Sequence, residues 1–242
     1  HQSVESFAAT LDKIIDMGPD RLAVFSYAHV PWLKKHQKLI READLPDFAT
    51  RIRLQQLIHE RLTAAGYVYI GMDHFARPHD ELVRAQAAGT LHRNFQGYTT
   101  HKDCDIYALG VSAISQTEDV YVQNCKRLVD YEARIAAGRL ATERGVRVSR
   151  DDKIRRDAIF ALMCDLHLDR QALAAKWDID FDAYFADALE ELDCLVADGL
   201  VVITPERIEV TELGRMFLRN IAMCFDAYLK RGVEQPRYSR TV

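Results

Sequence analysis

The sequence predicts an α/β architecture followed by a mainly helical, winged-helix-like domain, and three observations carry that prediction. Helical apolar spacing and short apolar runs alternate twice between Val4 and Gly71, which is the order of parallel βα units. A β-hairpin pattern from Leu200 to Thr211 stands among apolar-striped helical segments, as in a winged helix. Hydrophobic residues make up 48% of the 242, enough to build the core of one large domain or two ordinary ones.

In chain order, Phe7, Leu11, Ile14 and Ile15 recur at helical spacing from Val4 to Met17, and Gly18-Pro19 supplies the stop. Leu22 to Tyr27, ending at Pro31, predicts a strand buried on both faces, and a polar stretch from Lys34 to Pro46 follows. Ile52, Leu54, Leu57, Ile58 and Leu62 mark a second helix from Phe48 to Ala65, closed by Gly66, after which Tyr67 to Gly71 predicts another strand. Two βα units can neither close a barrel nor complete a sheet. Their neighbours are therefore expected upstream of His1, in a chain that begins mid-domain.

Residues 71–117 differ in texture. Gly71, Gly89, Gly97 and Gly110 are interspersed with His74, Arg77, His92, Arg93, Asn94, Gln96 and Tyr98, which fits either a site lining or a solvated loop. A helix is expected around Val122 to Ala137, then a connector, then a helix start at Ser149-Arg150-Asp151-Asp152. A short helix from Arg170 to Trp177 precedes a long one with an apolar stripe from Phe181 to Val196, ended by Gly199. The hairpin and a helix through Leu213, Phe217, Ile221 and Phe225 complete the pattern. The expected boundaries are 1–120 for the α/β part, 121–148 for a connecting helix and linker, 149–230 for the winged-helix-like domain and 231–242 for a basic tail.

Composition bounds the partners. Lys plus Arg number 32 against 36 for Asp plus Glu, so a net charge of -4 provides no overall basic field for nucleic acid or an anionic membrane. Cys104, Cys125, Cys164, Cys194 and Cys224 are widely dispersed, with no CxxC pair, and are read as reduced, buried small hydrophobes. No apolar run approaches the roughly 20 residues needed to span a bilayer. The expectation is a soluble, cytoplasmic protein with no metal ligands in this chain.

Two long and unusual stretches, Gly71-Met72-Asp73-His74-Phe75-Ala76-Arg77-Pro78 and Leu91-His92-Arg93-Asn94-Phe95-Gln96-Gly97-Tyr98-Thr99-Thr100, closely resemble the oxygen-independent coproporphyrinogen III oxidases. The likeness extends to Phe25 through Pro31, to Gly110 through Ser115 and to Arg219 through Asp226. It implies the carboxy-terminal part of a partial (βα) radical-SAM barrel, followed by a winged-helix-like domain. It also implies an oxidoreductase of haem biosynthesis that uses two molecules of S-adenosylmethionine. A 4Fe-4S cluster would be held by a CxxxCxxC segment absent from this chain, which alone is expected to be inactive. The reaction so implied is hydrogen abstraction by a 5'-deoxyadenosyl radical from two propionates of coproporphyrinogen III. Loss of carbon dioxide and an electron from each leaves the vinyl groups of protoporphyrinogen IX. The full-length protein would be a monomer served by an electron donor protein that the sequence does not identify.

The same resemblance places Ala28 against one S-adenosylmethionine and Ile114 against the other. Read on their own, both residues suit ordinary packing equally well. Arg93 and Arg77 are candidates to grip propionates through their guanidinium forks, and His74, His92 and Tyr98 to donate hydrogen bonds near the substrate. Salt-bridge and structural roles stay open for all five. No catalytic residue is singled out. Two other functions remain alternatives. A haem-chaperone relative of the same superfamily typically has a Tyr-Trp pair in the place of Gln96-Gly97-Tyr98-Thr99-Thr100. A DNA-binding winged helix would have to use a segment, Phe181 to Asp198, that carries six acidic residues and no Lys or Arg.

Overall fold

The computed structural model describes residues 2–102 and 104–229. Along the chain come α1 (Val4–Met17), β1 (Arg21–Ala23), α2 (Phe48–Ala64), β2 (Val68–Gly71), β3 (His74–Ala76), α3 (Glu81–Ala87), β4 (His92–Asn94) and β5 (Gly97–Thr99). Next are β6 (Ile114–Gln116), β7 (Val120–Asn124), α4 (Leu128–Ala136), β8 (Thr142–Arg147) and α5 (Arg150–Asp165). Then follow β9 (His167–Asp169), α6 (Arg170–Trp177), α7 (Phe181–Tyr184), α8 (Ala186–Ala197), β10 (Val201–Ile203), β11 (Arg207–Val210) and α9 (Leu218–Met223). They form two compact units, one of residues up to Thr100 with those from Ala158 onward, the other of His101–Asp157. The boundaries drawn from sequence at 120 and 148 both fall inside the second unit. The basic tail at 231–242 lies outside the described residues.

The first unit opens as its sequence dictates. Ser3 and Ser6 exchange side-chain to backbone hydrogen bonds in a capping box at the start of α1, and Gly18 ends the helix with a left-handed φ of 63°. Asp47 caps α2 by accepting the Thr50 N–H at 2.8 Å. The two helices cover one face of a three-stranded sheet of order β1-β3-β2. Side chains alternate along these strands. Tyr69 and Phe75 therefore join Leu11, Leu62 and Tyr67 in one core, while Ile70 and Ala76 join Leu82, Ala85, Leu91, Tyr98 and Cys164 in another. Burial on both faces is why Tyr67 to Gly71 reads as a continuous apolar run.

The anticipated helix-strand order is present, but β1 and β2 are not direct neighbours. Strand β3 lies between them and pairs antiparallel with each, so β1 and β2 run in the same direction one strand apart. With only three residues, all of them inside the Gly71–Pro78 motif, β3 has no period for a pattern search to find. The strand expected to reach Tyr27 stops at Ala23, and Phe25 and Tyr27 are exposed.

In the later part of this unit the expected hairpin forms, with Val201 opposite Val210 and Ile203 opposite Ile208. A third strand, β9, extends it to the order β10-β11-β9. The long helix expected over Phe181–Asp198 is broken at Phe185, whose fully buried ring packs edge-on against Phe225 at 5.3 Å. That packing, with Leu192, Leu218 and Ile221 also buried, outweighs helical continuity at one residue.

In the second unit, β6, β7 and β8 form an antiparallel sheet in that order. The helix anticipated from Val122 is therefore a strand through Asn124, and α4 starts only at Leu128. Val120, Tyr121 and Val122 favour extended backbone, and β7 is hydrogen-bonded along both edges. Its partner β8, Thr-Glu-Arg-Gly-Val-Arg, is mostly exposed and offers no alternating apolar signal, which is why the residues after α4 were expected to be a connector. The cysteines divide. Cys125, Cys164 and Cys224 are buried as expected, whereas Cys104 and Cys194 are exposed.

Candidate functional site

Two segments of the first unit bring the candidate side chains together. The Gly71–Pro78 motif is a tight β2-β3 connection in which Met72 takes a left-handed φ of 52°. Tyr69 stabilises that turn by donating its hydroxyl to the Met72 carbonyl at 2.8 Å. The carboxy-terminal module holds the turn from the other side. Arg215 donates to the Tyr69 carbonyl at 2.6 Å, and Arg219 pairs with Asp73 at 3.3 Å. The Leu91–Thr100 motif is a β4-β5 hairpin whose tip is shaped by Asn94, which accepts the N–H groups of Gln96 and Gly97.

Across this hairpin Arg93 pairs with Tyr98, and its guanidinium lies over the Tyr98 ring at 4.9 Å. His74 meets the same ring edge-on at 5.2 Å. Tyr98 is itself fixed by a 2.9 Å hydrogen bond to the Met163 carbonyl, and burial pushes its phenol well above the usual range. Within this group the Nδ1 of His74 and one terminal nitrogen of Arg93 are buried and lack a hydrogen-bond partner. Leaving a buried polar group unsatisfied costs about 1–3 kcal/mol, so the arrangement holds an Arg93 donor, and beside it a His74 nitrogen that donates in one tautomer, ready for a group that brings acceptors.

Burial, together with the nearby Arg93 charge, lowers the His74 pKa below its ordinary 6.5, against a smaller opposing pull from Asp73. The folded chain thus refuses a proton that the unfolded chain accepts. The stability that His74 contributes is complete above about pH 6.5 and is lost as pH falls through the lower folded value. Urea midpoints measured from about pH 7 to about pH 5 should fall more steeply for the wild type than for His74→Gln. Parallel curves would show that His74 is not held neutral by its surroundings.

The other candidates lie elsewhere. His92 projects from the opposite face of β4 and packs edge-on against Phe160 at 5.0 Å. Arg77 donates to the Ala65 carbonyl at 3.0 Å and covers the Tyr67 ring at 4.0 Å, so its guanidinium closes the end of α2. Ala28 is exposed on the loop after β1, and its carbonyl accepts from Gln37 at 3.1 Å. Ile114 is half-buried in β6 of the second unit, opposite Gln123. Sequence pattern gave no reason to single out Gln37, Asp73 or Arg219, although Asp73 and Arg219 stand inside stretches that carry the resemblance. Asp73 and Arg219 pair with each other across most of the chain.

The fold and the clustered motifs agree with comparisons to known proteins. A solved structure described as the coproporphyrinogen III oxidase (HemN) from Escherichia coli, a radical SAM enzyme, matches with a TM-score of 0.88 and 48% identity, over 94% of this chain and 52% of that one. The mixed α/β chain thus has the fold of the carboxy-terminal part of a radical SAM enzyme. The family model of the HemN C-terminal domain matches residues 148–217. The oxygen-independent coproporphyrinogen III oxidase of Salmonella typhimurium is 48% identical over 241 residues, which cover 100% of this chain and 53% of the relative. That of Thermostichus vulcanus is 47% identical over 232 residues, covering 96% of this chain and 71% of the relative. The chain belongs to the family of oxygen-independent coproporphyrinogen III oxidases. It spans about half the length of the first of these relatives.

Membership of the radical SAM class implies S-adenosylmethionine and a 4Fe-4S cluster. The Ala28 loop fits the former, since the adjacent His29 has a buried Nδ1 with no hydrogen-bond partner. The described residues do not fit the latter, because among them no group of three or more His, Cys, Asp or Glu is placed to hold a metal ion. Among the described residues no helix is long and apolar enough to cross a membrane.

Proposed function

We propose that this chain supplies substrate- and cofactor-binding groups for the oxidative decarboxylation of two propionates of coproporphyrinogen III to vinyl groups, giving protoporphyrinogen IX. The observation that carries the reading is the pair of buried, unpartnered nitrogens on His74 and Arg93 against one anchored ring, Tyr98. A propionate carboxylate offers acceptors to both. The Arg93 fork fixes one oxygen or both, and His74 adds a donor without adding a second positive charge. A rigid Tyr98 sets the spacing between them. Ala28 and Ile114 would each contact one of two S-adenosylmethionine molecules, Ala28 through exposed backbone and Ile114 through an apolar surface suited to an adenine ring. When bound, S-adenosylmethionine supplies hydrogen-atom abstraction at the β-carbon of a propionate. The part of the chain's own residues is to hold the carboxylate end still while that carbon reacts.

The DNA-binding alternative gains little support from α8, where Asp187, Glu190, Glu191 and Asp193 stand without a single Lys or Arg and would repel phosphates. To test the main reading, coproporphyrin III, the stable oxidised form of the substrate, can be titrated against the chain beside etioporphyrin, which lacks carboxylates. Saturable quenching of tryptophan fluorescence by the tetracarboxylate alone, weakening with added salt, is the expected result. Tight binding of haem with no response to coproporphyrin III would favour the haem-chaperone reading instead.

A further inference from the structure

The loop from Val24 to Lys34 contains no helix or strand, yet its middle is held from two sides. Gln37 is a buried polar residue in the short 3-10 helix Lys35–Leu39. Its Oε1 accepts the Val30 N–H at 2.6 Å and its Nε2 donates to the Ala28 carbonyl at 3.1 Å. One amide therefore satisfies the backbone groups on either side of His29. The Val30 carbonyl in turn accepts the N–H groups of Leu33 and Lys34 at 2.9 Å each, closing the turn that follows Pro31. Held in this frame, the His29 ring keeps a buried Nδ1 without a partner. A side chain free to move would turn that nitrogen toward water, since a buried polar atom without a partner is unfavourable.

We propose that Gln37 is a positioning residue for the Ala28–Val30 backbone and that it presents His29 Nδ1 as a hydrogen-bonding atom for the S-adenosylmethionine at Ala28. The proposal rests on the reading of Ala28 as a contact to that ligand. The ligand carries ribose hydroxyls, an ammonium and a carboxylate, and an imidazole nitrogen meets any of these in one tautomer or the other. The chemistry of the clamp is specific to an amide. A carboxylate at position 37 keeps the acceptor for Val30 but loses the donor, and faces the Ala28 carbonyl with like partial charge. An aliphatic side chain abandons both backbone groups.

The test is a titration of S-adenosylmethionine into the isotope-labelled chain, read by the amide resonances of Ala28 and His29. Saturable shifts are expected in the wild type. Gln37→Leu and His29→Ala should each weaken binding roughly tenfold, with amide signals away from this loop unchanged. Gln37→Glu should bind weakly at neutral pH and recover as acid protonates the introduced carboxyl, which then donates and accepts as the amide did. That recovery is not expected of a residue needed only for folding, and it decides the matter even if Gln37→Leu fails to fold. Unchanged affinity in both Gln37→Glu and His29→Ala overturns the proposal while leaving the reading of Ala28 intact. Wild-type resonances that stay still at millimolar ligand overturn that reading and the proposal with it.

Discussion

Replacing Gly71 by alanine is expected to remove about 3 kcal/mol of folding stability, a large share of what holds a domain of this size together. Gly71 has a φ of 154°, and a Cβ built on it would come within 2.5 Å of the Tyr98 hydroxyl and 3.3 Å of the ring carbon behind it. The ring has nowhere to retreat. It is buried, its hydroxyl is committed to the Met163 carbonyl, and Arg93 and His74 pack on its face and edge. The glycine is thus required by the site as well as by the turn, since the close approach of β2 is what seats Tyr98 between the two candidate ligand-binding groups. Urea unfolding measures the loss. A double-mutant cycle with Tyr98→Phe adds a sharper test, because deleting the hydroxyl removes the nearest clash. The two changes together should cost at least about 1 kcal/mol less than the sum of the singles. Strict additivity would mean that the crowding seen at Gly71 is relieved elsewhere.

How much of this was legible in the sequence depended on whether the cause was local. Helices α1 and α2 were readable because everything that starts and stops them lies within their own residues: apolar spacing inside, Gly18-Pro19 after one and Gly66 after the other. Strand β7 was not. Val120 to Asn124 is a strand because β6 and β8 flank it, and β8, almost wholly exposed, carries no apolar alternation to announce itself. The candidate site shows the same division. The two long motifs pointed to His74, Arg93 and Tyr98, which do converge, because a hairpin and a tight turn bring residues near in sequence near in space. Within the same stretches His92 and Arg77 take other positions. Strand alternation turns His92 to the far face, and the free carbonyls at the end of α2 capture Arg77. Gln37 was invisible for a related reason. It lies in a polar stretch that reads as a solvated loop, and only the return of the chain onto Ala28 and Val30 makes its amide a structural part.

Removing the charge of Arg93 separates binding from stability more clearly than any other single change. Arg93→Met keeps most of the side-chain length and the cover over Tyr98 while deleting a buried nitrogen that has no partner. A structural arginine would be missed on folding. Here the loss of a cation over a buried aromatic face, worth about 2 kcal/mol, is offset by relief from an unsatisfied buried donor that costs about 1–3 kcal/mol, so the urea midpoint should barely move. Affinity for coproporphyrin III, by contrast, should fall roughly fiftyfold, the effect of taking a charge-assisted fork from a carboxylate that then has only His74 left. Arg93→Lys should fall between the two, since an ammonium restores the charge without the paired geometry. The sign of the stability change is the discriminating reading. An Arg93→Met variant that loses several kcal/mol of stability but binds the porphyrin normally would assign Arg93 to the scaffold and leave the carboxylate to other groups.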